Sequence, residues 1–178
     1  ARVLHAVPGS RLLMKYSDLD APEIGRRYHA LFMEHGIGPE RVELQGHSAR
    51  EEFLRAYRQV DIALDPFPYN GGITTLETLW MGVPVVTLRG DRFVSRVGES
   101  ILAAVGLPEL VASGLDQYVS TAAGLARDPA RLRRLRDGLR QRLTASPLCD
   151  GPGFAAAVER VYREMWVRRC AGRAGLPA

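Results

Sequence analysis

The stretch Asp61-Ile-Ala-Leu-Asp-Pro-Phe-Pro-Tyr-Asn-Gly-Gly-Ile-Thr-Thr-Leu-Glu-Thr-Leu-Trp-Met-Gly-Val-Pro-Val-Val-Thr87 decides how this chain is read. It opens on the end of an apolar run, Val60 to Leu64, that predicts a strand. A loop rich in Pro and Gly follows from Asp65 to Gly72, then a helix from about Ile73 to Met81. The run Val83 to Leu88 is almost continuously apolar, as in a parallel strand buried on both faces. Strand, crossover helix and strand in that order form a βαβ unit.

The same alternation extends outward. Upstream, Leu12 to Met14 reads as a strand ending at Lys15. Residues 21–35 place Ile24, Tyr28, Leu31 and Phe32 at helical spacing, with Asp20 and Glu23 at capping-box spacing and Gly36 as a stop. Arg41 to Leu44 is a second strand. Ser48 and Glu51 make another capping-box pattern, opening a helix through Phe53, Leu54 and Tyr57. Downstream, Val94, Val97, Ile101, Leu102 and Val105 line a helix, and Glu109 to Val111 reads as a short fifth strand. Beyond residue 115 the pattern is helical. Asp128 caps a helix with Pro129 in its first position, and Leu132, Leu135, Leu139 and Leu143 form its apolar stripe. Phe154, Val158, Val161, Tyr162, Met165 and Trp166 mark a last amphipathic helix before a frayed ending over residues 171–178. The expected fold is α/β, a Rossmann-like doubly wound parallel sheet. It forms one domain over residues 1–178, with C-terminal helices over 129–170.

In open α/β sheets ligands sit at the carboxyl ends of strands, so the loop from Asp65 to Glu77 is the place to look for chemistry. Two prolines stiffen its entry. Gly71 and Gly72 permit positive φ and close approach of a ligand to the backbone. The helix that follows presents free N–H groups and a positive dipole end, a recipe for binding a diphosphate. The loop is neither a Walker loop nor a GxGxxG fingerprint. Thr74 and Glu77 admit two readings. They have capping-box spacing, which explains both structurally. Alternatively, Thr74 gives its hydroxyl and N–H to a phosphate while Glu77 accepts from the vicinal hydroxyls of a ribose.

The quoted stretch, with Gly90-Asp91, Ser95-Arg96-Val97, Gly106-Leu-Pro-Glu-Leu110, Ser146-Pro-Leu148 and Met165-Trp166, resembles the C-terminal catalytic half of the O-GlcNAc transferase and SPINDLY family. More narrowly, it looks like the bacterial members fused to tetratricopeptide repeats. The resemblance implies the second, donor-binding domain of a GT-B glycosyltransferase, so that this chain is a part of a longer enzyme and inactive alone. It implies inverting transfer without a bound metal, most simply of GlcNAc from UDP-GlcNAc to Ser or Thr hydroxyls of proteins. UDP-glucose and GDP-fucose are the alternative donors. A non-catalytic nucleotide-binding module of a repeat protein is the alternative function.

Carried over by position, Gly71, Gly72, Ile73, Thr74 and Thr75 match the family's diphosphate-binding turn, and Glu77 matches an acidic residue that holds the ribose. Ser48 and Arg50 match positions that contact the base. Phe53 stands where animal members carry a His stacked on the base; a Phe keeps the stacking and loses the polar function. Lys15, at a strand end on the ligand side, either faces the cleft or is simply solvated. Arg96 suits an ion pair, with phosphate contact as the other reading. Trp80 is expected to pack in the core, and the Arg-rich face of 131–142 to be solvated. The general base, a phosphate-binding Lys and the repeats that select a protein acceptor are expected upstream of this chain.

Composition excludes little else. The net charge of +4 rests almost wholly on Arg, with Lys15 the one Lys. Without aromatic interleaving or a helix-turn-helix pattern, that charge does not indicate a nucleic-acid partner. Cys149 and Cys170 form no ligand or disulfide pattern, the four His are scattered, and no apolar run is long enough to span a bilayer. A cytoplasmic location without metal or other cofactor is the expectation.

Overall fold

The computed structural model describes residues 1–173. The short helix α1 (Arg2–Ala6) leads into β1 (Leu12–Lys15), α2 (Pro22–Glu34) and β2 (Val42–Gln45). Next come α3 (Arg50–Ala56), β3 (Ala63–Leu64), α4 (Ile73–Trp80), β4 (Val85–Leu88) and α5 (Val97–Ala104). After β5 (Val111–Ala112) the chain is helical: α6 (Leu115–Arg127), α7 (Pro129–Thr144) and α8 (Gly151–Arg173). Every strand pair is parallel, as the buried apolar runs predict. The ladder comes in two pieces, β1-β2 and β3-β4-β5.

The larger core gathers around β4, on which α4, α5 and α6 all pack. Leu79, Val86, Leu102, Leu110 and Leu125 are fully enclosed there. Their burial at about 25 cal/mol per Å² of apolar surface is the main force holding the helices to the sheet. A smaller cluster of Leu4, Ile37 and Val42 holds α1 and α2 to the first ladder.

Glycine closes both helices that flank the central strand. At the end of α4, Gly82 takes φ +78, its N–H bonds Leu79 O, and the N–H of Val83 reaches Thr78 O at 3.0 Å. Gly106 ends α5 in the same way, with Leu107 N–H to Leu102 O at 2.8 Å. These are Schellman closures, which need a left-handed residue that only Gly adopts without strain.

Several expectations give way at helix starts. Of the proposed caps, only Asp128 forms: its carboxylate accepts from the Arg131 N–H at 2.9 Å. Helices α2, α3 and α4 begin after Ala21, Ala49 and Gly72 with no side-chain cap, so none of the three capping boxes exists. For α2 the fixed φ of Pro22 at the first position replaces the cap.

Trp80 is not in the core. It is 44% exposed, covered on one face by the Arg140 guanidinium 5.1 Å from its ring centroid. Nor is the Arg face of α7 merely solvated. Arg140 Nε donates to Trp80 O (2.9 Å) at the end of α4, Arg136 donates to Val60 O (2.6 Å), and Arg142 reaches Gly106 O (3.4 Å). Cations thus meet the negative carbonyl ends of α4 and α5. Two other apolar stripes are only partly covered or uncovered: in α2 Phe32 packs on the smaller cluster while Ile24 and Leu31 are exposed, and in α8 Phe154, Tyr162, Met165 and Trp166 are exposed. Residues 171–173 remain helical, and the rest of the expected frayed ending lies outside the described residues.

Candidate functional site

Asp65, at the exit of β3, organises the loop that the sequence marked. Its carboxylate is buried and both oxygens are engaged: Oδ1 accepts from the Gly71 N–H at 2.8 Å and Oδ2 from the Thr87 hydroxyl at 2.6 Å. Its carbonyl accepts from the Tyr118 hydroxyl at 2.9 Å. Asn70, also buried, donates its side-chain amide to Pro66 O at 3.0 Å, and its N–H bonds Val94 O. The Phe67-Pro68 peptide between them is cis. The loop is therefore pinned at both ends by buried polar groups before any ligand arrives, which is the preorganisation that tight recognition requires.

Gly71 and Gly72 serve this site through space, not through positive φ, which neither adopts. A Cβ on Gly71 would lie 2.5 Å from Thr75 Oγ1 and 3.2 Å from Asp65 Oδ1. Gly72 has φ −116 and nothing within 4 Å of where a Cβ would stand, so its face is open to an incoming group. The N–H groups of Ile73, Thr74 and Thr75 begin α4 without intrahelical acceptors or a side-chain cap. Ile73 and Thr74 are exposed and Thr75 is buried.

Burial raises the Asp65 pKa above its ordinary 3.8, only partly offset by the bonds from Thr87 and Gly71. With the folded pKa raised, the native state holds the proton over the window that begins near 3.8, so Asp65 makes folding less favourable as pH rises through that window. An Asp65→Asn variant is expected to lack this component. Thermal melts between pH 4 and 7 should show the wild-type protein losing stability relative to the variant as pH increases. The Tyr118 hydroxyl is pushed well up by burial and by the nearby Asp65 charge, and it stays a neutral donor throughout.

Across the cleft from this turn, α3 brings the second group of predicted residues together with Glu77. Arg50 Nη1 lies 2.8 Å from Glu77 Oε1, a charge contact whose angles make no hydrogen bond. Glu77 Oε1 is thus buried with no hydrogen-bond partner, its side chain only 13% exposed against 74% for Arg50. The Ser48 hydroxyl is the other buried side-chain polar atom without a partner among the described residues. Such groups are costly to leave unmatched. Phe53, half-buried, sets its ring edge-on to Tyr57 at 5.5 Å. Lys15 Nζ contacts Gly46 O (3.2 Å) and Gln45 Oε1 (3.4 Å) at the wall of a cavity of about 360 Å³ that His47, Ser48 and Glu52 also line. Arg96 pairs with Glu99 at 3.2 Å, which also receives Arg89, as its ion-pair reading has it.

Sequence reasoning passed over Asp65, Asn70, Thr87, Gly98, Tyr118 and the Tyr57–Thr78 contact. The available signal was a charged and an amide residue inside an otherwise apolar and Gly-Pro stretch, where a polar side chain has to find a partner. Among the described residues no group of three His, Cys, Asp or Glu side chains converges as metal ligands. No described helix is long and apolar enough to cross a membrane.

The model of a family described as Glycosyl transferase family 41 matches residues 1–158. A protein of Solanum lycopersicum named "Probable UDP-N-acetylglucosamine--peptide N-acetylglucosaminyltransferase SPINDLY" is 43% identical over 173 residues, 97% of this chain and 19% of that protein. The UDP-N-acetylglucosamine--peptide N-acetylglucosaminyltransferase of Caenorhabditis elegans is 34% identical over 167 residues, 94% of this chain and 14% of that one. Among solved structures, an O-GlcNAc transferase of Thermobaculum terrenum, a point mutant, superposes with a TM-score of 0.91 at 39% identity. The match covers 97% of this chain and 33% of that structure. The chain therefore spans about a fifth of its SPINDLY relatives.

Proposed function

The chain belongs to glycosyl transferase family 41, and from that premise we propose that it is the donor-binding C-terminal domain of a GT-B enzyme that transfers GlcNAc from UDP-GlcNAc to Ser or Thr hydroxyls of proteins. One observation carries the reading. Among the described residues two buried side-chain oxygens make no hydrogen bond: Ser48 Oγ, just before α3, and Glu77 Oε1, within the uncapped α4 and facing only the exposed Arg50. A nucleoside diphosphate supplies what each lacks. Its ribose hydroxyls donate to Glu77, its base meets Ser48 and Phe53, and its diphosphate meets the N–H groups of residues 72–75 and the Thr74 hydroxyl.

The chemistry follows from that placement. As the glycosidic bond to the nucleotide breaks, negative charge grows on the leaving diphosphate. Fixed N–H dipoles at a helix start stabilise such charge without having to reorganise. The reaction then needs no metal from this domain; inversion of the anomeric centre is what the family resemblance implies. The general base and the acceptor-selecting region belong to other parts of a protein that works in the cytoplasm.

The test is transfer by the full-length protein to a Ser/Thr peptide from labelled UDP-GlcNAc, UDP-glucose and GDP-fucose, with and without EDTA. UDP-GlcNAc is expected to be the preferred donor and EDTA to leave the rate unchanged. Preference for GDP-fucose would reassign the donor, and nucleotide binding without transfer from any donor would make the chain a regulatory module.

A further inference from the structure

Tyr57 bridges the two halves of the proposed site. Its hydroxyl lies 3.0 Å from Thr78 Oγ1, and that Oγ1 lies 2.6 Å from the carbonyl of Thr74. A Thr hydroxyl has one proton. With that proton on the shorter bond to Thr74 O, Tyr57 O–H is the donor to Thr78. The relay runs from α3 to α4 and ends on the residue assigned to the diphosphate. At its other end the Tyr57 ring stands against the Phe53 ring, 86° between planes, on the residue assigned to the base. Thr78 is buried, and burial raises the Tyr57 pKa, so the hydroxyl keeps its proton and remains a donor. Tyr57 itself reaches neither the α4 N-terminus nor the partnerless atoms.

We infer that Tyr57 is a positioning residue that fixes the spacing between the base and diphosphate subsites through Thr78, so that a ligand occupying both at once is bound more tightly than its parts imply. This inference rests on the nucleotide reading of the site. When two binding groups are joined in one ligand, the second contact is made at a high effective concentration only if the two subsites are correctly spaced. Loosening the spacer therefore weakens the joined ligand and spares the separate ones. A residue that only stabilised the fold would affect all three ligands alike.

The experiment measures UDP, uridine and inorganic pyrophosphate binding to the full-length protein carrying Tyr57→Phe, Thr78→Val or Thr78→Ser. Circular dichroism confirms folding, and the Thr78 variants interrogate the same bond should Tyr57→Phe fail to fold. Tyr57→Phe and Thr78→Val are each expected to weaken UDP about five-fold, the effect of one lost neutral hydrogen bond. Uridine and pyrophosphate should be unchanged, and Thr78→Ser should bind UDP like the wild type. Unchanged UDP affinity in both Tyr57→Phe and Thr78→Val, or parallel weakening of all three ligands, would overturn the inference. Absence of UDP binding to the wild-type protein would remove the nucleotide reading itself, and the inference with it.

Discussion

A Glu77→Gln variant is expected to bind UDP about ten- to a hundred-fold more weakly than the wild type while folding about as stably; ionic hydrogen bonds contribute about 1.5–3 kcal/mol each. The two halves of that result have one cause. The carboxylate is largely withdrawn from water, yet Oε1 accepts no hydrogen bond, and the adjacent Arg50 is mostly solvated. A solvated partner offers little compensation, since ion pairs with exposed groups contribute about 0–1 kcal/mol. Neutralising the side chain gives up only the contact with a mostly solvated Arg50, so stability changes little. It also removes the charge and one of the two acceptor oxygens that suit a ribose diol. Calorimetric titration with UDP and a urea melt check both halves. A large loss of stability with unchanged UDP affinity would return Glu77 to a purely structural role.

The second large effect is expected at Gly98, at the start of α5 and far along the chain from the loop it supports. A Cβ there would overlap Thr87 Oγ1 and lie 2.5 Å from Asp65 Oδ2, the two atoms that share the 2.6 Å hydrogen bond. Neither can retreat, because Thr87 is enclosed in β4 and the other Asp65 oxygen holds Gly71. Gly98→Ala is expected to destabilise the fold by about 3 kcal/mol or more, the sum of overpacking and a broken bond to a buried carboxylate. UDP binding should fall with it, because release of Asp65 frees Gly71 and the start of α4. Gly124, in the last turn of α6 with nothing within 4 Å of where a Cβ would stand, is the control. Its change to Ala should stabilise by about 0.5–1 kcal/mol through helix propensity. Chemical denaturation of the two variants separates these outcomes, and equal stabilities would contradict the packing argument.

The contrast between these glycines shows what the sequence could and could not disclose. The βαβ reading of residues 60–88 needed only local information: apolar runs, a Gly-Pro loop and helical spacing. Family resemblance then assigned the residues of 71–77 to a ligand. The Asp65–Thr87–Gly98 cluster joins three separate elements, with Asp65 and Thr87 22 positions apart, and no local pattern reveals such a partnership. Capping-box spacing at Ser48 and Thr74 misled for a physical reason. Helix α3 starts after Ala49 and α4 after Gly72, so neither Ser48 nor Thr74 occupies the N-cap position that its spacing to a Glu suggests. The arginines of α7 misled in the opposite direction, because a charged helix face reads as solvated until the carbonyl ends of other helices are placed beside it. The stripe of α8 was legible as periodicity, but periodicity does not show whether the face is covered.

The central claim is that a nucleoside diphosphate sits on the start of α4 and spans to α3. Amide NMR of the 15N-labelled chain during a UDP titration tests it most directly. Saturable shifts are expected to concentrate on Gly71 to Thr75 and on Ser48 to Phe53, with the amides of α7 unmoved. Shifts absent from those segments in a folded chain, or centred on the arginines of α7, would contradict it.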